Sequence, residues 1–216
     1  EVHYYMEPEM FDRIIKAMVA KNIHWSPTWG TTFRALSSRA QQLKQQEFTL
    51  LKNPDLRYLP SYILKASEEH FAYFENASAE KRRQLMLGYS KVQDFVRRFI
   101  AAGGKVHLGS DPDNILAGYG VHAELQLLVE AGLTAVQAVQ AASLNVAQAW
   151  GKEKDFGSVE KGKIADLLIV QGDPTKDIFA TQNVEKVFMD GKAIDTSFHP
   201  DYKNPVPRPI ADRPDQ

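Results

Sequence analysis

The first thirty residues contain the pattern that most restricts the fold. Residues 1–5 suggest the end of a strand, and Pro8 suits the first turn of a helix. Apolar side chains then recur at helical spacing, at Met10, Phe11, Ile14, Ile15, Met18 and Val19. Residues 23–29 (IHWSPTW) follow as a short strand. A strand, a helix and a second strand within this span predict a βαβ unit, which implies a parallel sheet and an α/β fold.

The middle of the chain is predicted to be helical. One helix is expected around residues 33–43, an aromatic-rich one over 62–74, and a long one that Ser78 caps and Gly103-Gly104 ends. The next strand is predicted at 105–109. Residues 31–102 therefore form a helical insertion between two strands, much longer than a minimal α/β crossover.

The last third of the chain changes from helical to β periodicity. Helices are predicted over 121–131 and from a Thr134 cap to residue 150, followed by a buried strand at 164–170. Residues 184–189 and 192–194 flank Asp190-Gly191, which predicts a β-hairpin. We therefore expect an α/β region over 1–150, a small β-domain over 151–198 and a Pro-rich extended tail over 199–216.

Composition excludes several classes of function. The chain has 26 Lys and Arg against 27 Asp and Glu, a net charge of −1, which argues against a nucleic-acid binder or a polybasic membrane surface. No apolar run approaches the roughly 20 residues of a membrane span. The absence of cysteine excludes disulfides, thiolate zinc sites and a cysteine nucleophile.

Asp111 is the strongest candidate for chemistry. It follows a predicted strand and Gly109-Ser110, and functional residues of parallel α/β sheets cluster at the carboxyl ends of strands. A carboxylate there binds a metal or accepts a proton from water. The alternative is that Asp111 only shapes a turn, because residues 111–114 (DPDN) are all turn formers.

Two histidines are further candidates. His3 lies near a predicted strand end, where it is either a ligand or a partly exposed terminal residue. His122 starts a helix beside the glycines at 118 and 120, so it either lies near a ligand or is simply exposed.

Other recognisable sites are lacking. Residues 109–111 are not G-x-S-x-G, and Gly118-Tyr119-Gly120 lacks a third glycine. Neither His-x-His nor His-Glu-x-x-His occurs. On its own the sequence contains no complete metal site.

Several spaced motifs resemble those of one enzyme family. Residues 105–111 (KVHLGSD) and 122–134 (HAELQLLVEAGLT) resemble the last barrel segment of the metal-dependent amidohydrolase superfamily. The same order continues at 141–147 (AASLNVA), 157–168 (GSVEKGKIADLL), 172–174 (GDP) and 184–192 (VEKVFMDGK). The resemblance is greatest to the imidazolonepropionase-like and dipeptidase-like branch.

This resemblance implies a fold. The family has a (β/α)8 barrel of the TIM type, and this chain would be its C-terminal part, about the last three strands, with a helical insertion and then part of a small β-sandwich domain. Because the chain starts at Glu1 and the first five strands lack a counterpart, we expect a truncated protein whose natural N-terminus is missing. Its localisation, cytoplasmic or exported, stays open for the same reason.

The resemblance also implies a site and an activity. One or two divalent ions, usually zinc, would be held in part by His3, as the sixth-strand histidine, and Asp111, as the aspartate that ends the eighth strand. Asp111 would also take the proton of the attacking water. His122, beside the glycines at 118 and 120, is a candidate substrate-binding residue to which the resemblance assigns no role. The full-length protein would hydrolyse an amide, cyclic amide or dipeptide through metal-activated water, as a homo-oligomer.

The isolated chain is expected to be inactive. A hydrolytic zinc centre typically needs three protein ligands, and this chain supplies two. A non-catalytic α/β fragment or binding module without a metal site is the alternative.

Overall fold

The computed structural model describes residues 2–53, 61–111 and 115–197. The helices are α1 (Phe11–Ala20), α2 (Trp29–Phe33), α3 (Ala40–Leu51), α4 (Ser61–Glu75), α5 (Ala79–Ala101), α6 (Tyr119–Glu130), α7 (Ala135–Ala141) and α8 (Leu144–Ala149). The strands are β1 (His24–Trp25), β2 (Lys105–Val106), β3 (Leu167–Val170), β4 (Val184–Met189) and β5 (Lys192–Ile194). Short 3-10 helices span Val2–Tyr5, Pro8–Met10 and Ile178–Gln182.

These strands form two small sheets. β1 and β2 pair in parallel, with His24 opposite Lys105 and Trp25 opposite Val106. The amide of His107 extends the pairing by donating to Trp25 O at 2.9 Å. β3, β4 and β5 form an antiparallel sheet in that order. The mixed architecture confirms the predicted α/β class, and helices α2 to α5 occupy the long connection between the two parallel strands.

The predicted βαβ unit at the N-terminus is wrong. Val2–Tyr5 forms a 3-10 helix instead of a strand end, and β1 has two residues instead of seven. The 3-10 helix packs directly on α5, where a Cβ on Gly88 would lie 3.0 Å from Tyr4 N. Tertiary packing therefore decides the conformation of a segment that favours a strand locally.

β1 ends early for a local reason. Pro27 has no N–H to donate to a sheet, and Thr28 takes a left-handed conformation with φ of 51°. The chain then enters α2 at Trp29, inside the segment that the sequence predicts as strand.

Two C-terminal predictions also need correction. The helix predicted from 134 to 150 divides into α7 and α8, and Ser143 Oγ at the break donates to Val139 O at 2.8 Å. β3 is not a buried strand, because the side chain of Leu168 is 62% exposed. A three-stranded sheet offers few neighbours, so its apolar residues stay partly in solvent.

Other local predictions are confirmed. Ser78 accepts a hydrogen bond from Lys81 N at the start of α5, and Thr134 forms a capping box with Gln137 at the start of α7. The hairpin turn has φ of 48° at Asp190 and 74° at Gly191, the left-handed pair that a type I′ turn requires.

One apolar core supports the parallel strands. It includes Val106 of β2, Val96 and Phe99 of α5, and Leu127 and Leu128 of α6, all of them fully buried. The carboxyl ends of β1 and β2 are therefore held by helices packed around them. Among the described residues, no helix is long and apolar enough to span a membrane. The tail predicted at 199–216 lies outside the described residues, and the boundary near 151–157 stays a prediction.

Candidate functional site

The segments that leave β1 and β2 lie against each other and against the start of α6. A Cβ on Gly109 would collide with Ser26 Oγ and would lie 3.2 Å from Thr28 Cγ2. A Cβ on Gly120 would lie 3.2 Å from Ser110 Cβ. Glycine at 109 and 120 therefore allows the two strand-end segments and the first turn of α6 to meet, and Asp111 follows immediately.

Asp111 lies on the exposed side of this junction. Its side chain is exposed, and its φ of 38° is in the left-handed region that L-residues rarely adopt. Aspartate is one of the few residues that adopt this conformation in ordinary turns, so the φ value shows a tight bend just beyond the strand. The prediction that Asp111 lies just beyond a strand end therefore agrees with the backbone, whereas its catalytic role stays a prediction.

His3 lies in the 3-10 helix Val2–Tyr5 and not at a strand end. Its ring meets the edge of Phe33 with 5.0 Å between ring centres, and burial lowers its pKa. No three His, Cys, Asp or Glu side chains in 2–53, 61–111 and 115–197 group closely enough to hold a metal ion. The described residues therefore do not by themselves fit a hydrolytic metal centre.

His122 lies on the side of α6 that faces the 3-10 helix Ile178–Gln182. Its Nδ1 is 3.1 Å from Thr181 Oγ1, and the same hydroxyl donates its hydrogen to Ile178 O at 2.8 Å. The hydrogen between His122 and Thr181 must therefore come from His122 Nδ1. This contact ties α6 to the C-terminal region, and the predicted contact with substrate stays a prediction.

The strand histidines form a loose pair beside the junction. The rings of His24 and His107 are 6.3 Å apart between centres. The pKa of His24 is lowered by burial and, to a lesser extent, by Lys105 and His107. A neutral His24 is therefore favoured next to the parallel strands.

Glu124 is the residue that sequence reasoning missed. It is fully buried on α6, and its Oε2 accepts the amide of Gly30 at 2.6 Å. The Trp29 backbone also favours the charged form of this carboxyl. Glu124 Oε1 is also buried, and no described residue hydrogen-bonds it. In the sequence, Glu124 is visible only as a single carboxylate between the apolar residues Ala123 and Leu125. Its partner, Gly30, lies 94 positions earlier.

Glu124 should make stability depend on pH. Burial raises its pKa to about 7 from an ordinary value of 4.5, against the opposing effect of the Trp29 and Gly30 backbone. The folded chain therefore keeps a proton that the unfolded chain releases. This contribution to stability is complete below about pH 4.5 and is lost as the pH rises through 7, a change of about 3 kcal/mol.

The measurement compares the unfolding free energy of the wild type with that of Glu124→Gln between pH 5 and 8. Histidines with lowered pKa values, such as the partly buried His24, act in the opposite direction, so only the difference between the two proteins isolates Glu124. We expect that difference to fall with rising pH. A pH-independent difference for Glu124→Gln would contradict the prediction.

This chain has an α/β fold and an aspartate just beyond a strand end. Comparison with known proteins identifies its family. The model of the amidohydrolase family matches residues 2–194. The chain belongs to the amidohydrolase family, a family of hydrolytic enzymes, as the motif resemblance predicts.

Individual relatives cover shorter stretches. The adenine deaminase of Moorella thermoacetica is 29% identical over 83 residues, which is 38% of this chain and 13% of that protein. Adenine deaminase 3 of Rhizobium meliloti is 38% identical over 66 residues, 31% of this chain and 10% of that protein.

Solved structures share the fold over most of this chain. A Xaa-Pro dipeptidase with bound methionine in its active site superposes with a TM-score of 0.55 at 23% identity, covering 88% of this chain and 38% of that one. Molinate hydrolase gives a TM-score of 0.53 at 18% identity, covering 85% and 35%. The chain thus spans well under half the length of each of these four proteins.

Proposed function

We propose that this chain is the C-terminal portion of a longer metal-dependent hydrolase that cleaves a C–N bond in a small amide, cyclic amide or dipeptide. The observation that carries the proposal is the family match over residues 2–194, combined with Asp111 just beyond the carboxyl end of β2. The names of the relatives, a deaminase and a dipeptidase, both denote cleavage of a C–N bond.

The proposed architecture is the C-terminal part of a (β/α)8 barrel, with β1 and β2 as two of its strands and a helical insertion at 31–102, followed by part of a small β-sandwich domain. Two supports are the parallel β1–β2 pair, interrupted by helices α2 to α5, and the antiparallel β3–β4–β5 sheet. A third is that the chain covers 38% of the dipeptidase structure. The proposed division remains 1–150 and 151–198.

Asp111 has the central role in the proposed reaction. As the oxygen of a water molecule attacks the carbonyl carbon, the Asp111 carboxylate accepts a proton from that water, and the proton then passes to the leaving nitrogen as the C–N bond breaks. The exposure of Asp111 and its place at the junction of three segments support this role. His122, in the first turn of α6 beside Gly120, is proposed to bind the substrate.

In this proposal the longer protein binds a divalent metal ion, with zinc as the preferred candidate. His3 and Asp111 would be two of its ligands, and the others would come from outside the described residues, which contain no group of three. The longer protein would act on a small-molecule substrate as a homo-oligomer.

Hydrolysis assays on the isolated 216-residue chain and on the longer protein test this proposal. With amide, cyclic amide and dipeptide substrates, the longer protein should turn over at least one class and the isolated chain none, because two ligands do not complete a hydrolytic centre. Equal turnover by both would contradict the assignment as an incomplete portion. A longer protein with neither bound metal nor hydrolysis would favour the binding-module alternative.

A further inference from the structure

The first turn of α2 lacks a cap of its own. Thr28 precedes this helix in a left-handed conformation, and its side chain makes no capping hydrogen bond. Helix amides at this position need an acceptor when they are buried. Trp29 and Gly30 are both buried, so an acceptor from elsewhere in the fold is required.

Glu124 supplies that acceptor from α6. Its Oε2 receives the Gly30 amide at 2.6 Å. A carboxylate that caps a helix from a distant element fixes the position of both elements relative to each other, since the bond is short and excluded from water. The start of α2 is therefore fastened to α6.

The segment held in this way touches the segment that carries Asp111. Ser26 and Thr28, just before α2, pack on Gly109, and Ser110 packs on Gly120 at the start of α6. Movement of the β1 end away from α6 would open the contact on Gly109. Asp111 follows two residues after Gly109.

We propose that Glu124 is a positioning residue for Asp111, acting by holding the start of α2, and with it the segment after β1, against the segment after β2. This inference rests on the proposed function of Asp111. Glu124 itself is buried within the fold and does not contact the reacting atoms in this role.

The two carboxyl oxygens of Glu124 differ in their contacts. Oε2 accepts the Gly30 amide, whereas Oε1 is buried and has no hydrogen-bond partner among the described residues. Burial raises the pKa of Glu124 to about 7. No charged side chain makes a major contribution to this shift. Two charged or titratable groups interact with this arrangement. Arg34, immediately after α2, donates to Gly30 O. The pKa of Tyr89 on α5 is raised by burial, by Glu130 and, to a smaller extent, by Glu124.

Kinetics of the longer enzyme test the proposal with two variants. Glu124→Gln keeps an acceptor for the Gly30 amide, so its kcat should stay within about twofold of the wild type at pH 8. Glu124→Leu removes the acceptor, so kcat should fall by about tenfold or more while KM changes by less than about twofold, because the geometry of Asp111 is lost and not substrate binding. A matched Glu130→Leu control removes a carboxylate of α6 that bonds Ser37 and Tyr89 instead, and should leave kcat unchanged.

A spectroscopic readout keeps the test independent of activity. In the 216-residue chain, the amide proton of Gly30 should shift with pH with a midpoint near 7, and the amides of Gly109 and Ser110 should follow it. Glu124→Gln should abolish this titration without moving the other amides of α2. A Gly30 titration that Gly109 and Ser110 do not follow would overturn the positioning role, even where Glu124→Leu fails to fold.

The outcomes separate this inference from the proposed function. If Asp111→Asn leaves hydrolysis intact, the proposed function fails. If Asp111→Asn abolishes hydrolysis but Glu124→Leu keeps the wild-type kcat, the positioning role alone is overturned.

Discussion

Replacing Glu47 with alanine is expected to lower the free energy of unfolding by about 3–5 kcal/mol, because it removes one partner of a buried, hydrogen-bonded ion pair. Both side chains are fully buried, and Arg34 Nε donates to Glu47 Oε2 at 2.9 Å. Burial lowers the pKa of Arg34, and Glu47 opposes that effect. Chemical denaturation followed by circular dichroism measures the loss.

The ion pair belongs to a network that joins three helices of the insertion. Ser67 Oγ of α4 donates to Glu47 Oε1 of α3 at 2.8 Å, and Arg34 Nη1 donates to Gly30 O at 2.8 Å. His70, nearby on α4, stays neutral because burial and Arg34 lower its pKa to about 3. Removing Glu47 therefore takes away the carboxylate that accepts from both Arg34 and Ser67 inside this buried network.

A double variant distinguishes the lost charge balance from lost packing. Arg34→Met combined with Glu47→Leu removes both charges and fills similar volumes, so it should recover most of the stability that Glu47→Ala loses. If Glu47→Ala costs less than about 1 kcal/mol, or if the double variant is as unstable as the single one, the pair does not have the proposed energetic role.

The second large effect is expected at Asp111 in the longer enzyme. Asp111→Asn keeps the size of the side chain but removes its ability to accept a proton, so kcat should fall by about 10²–10⁴-fold. The fold should be retained, because Asp111 is exposed and asparagine tolerates the left-handed conformation found there. Steady-state kinetics together with circular dichroism measure both quantities.

Local signals explain the parts of the fold that the sequence predicts well. Ser78 and Thr134 act within one helical turn, and Asp190-Gly191 acts within one hairpin, so each is visible in a short window of sequence. The family motifs are similarly local, with several of them in a fixed order. These features account for the correct helices α4, α5 and α6 and for the β4–β5 hairpin.

The errors arise where distant contacts decide the structure. Residues 2–5 favour a strand by composition but become a 3-10 helix because Gly88 of α5 lets their backbone approach closely. β1 and β2 pair across 80 residues of sequence, so their register and short length depend on packing that no window contains.

The same limit applies to the candidate site. Asp111 could be predicted because its position after a strand is a local feature, whereas the importance of Glu124 depends on its bond to Gly30, 94 residues earlier. Arg34 and Glu47 are unremarkable charges in the sequence and become a buried pair only when α2 and α3 pack together.

The most direct test of the account is the turnover of the longer enzyme with Asp111→Asn and with Asp155→Asn, an exposed aspartate on another turn. Metal content is measured in each preparation, so that a loss of activity is interpreted together with a loss of metal. The account predicts that Asp111→Asn loses at least about a hundredfold in kcat while Asp155→Asn matches the wild type. Wild-type turnover in Asp111→Asn would contradict the assignment of Asp111 as the proton acceptor of a hydrolase.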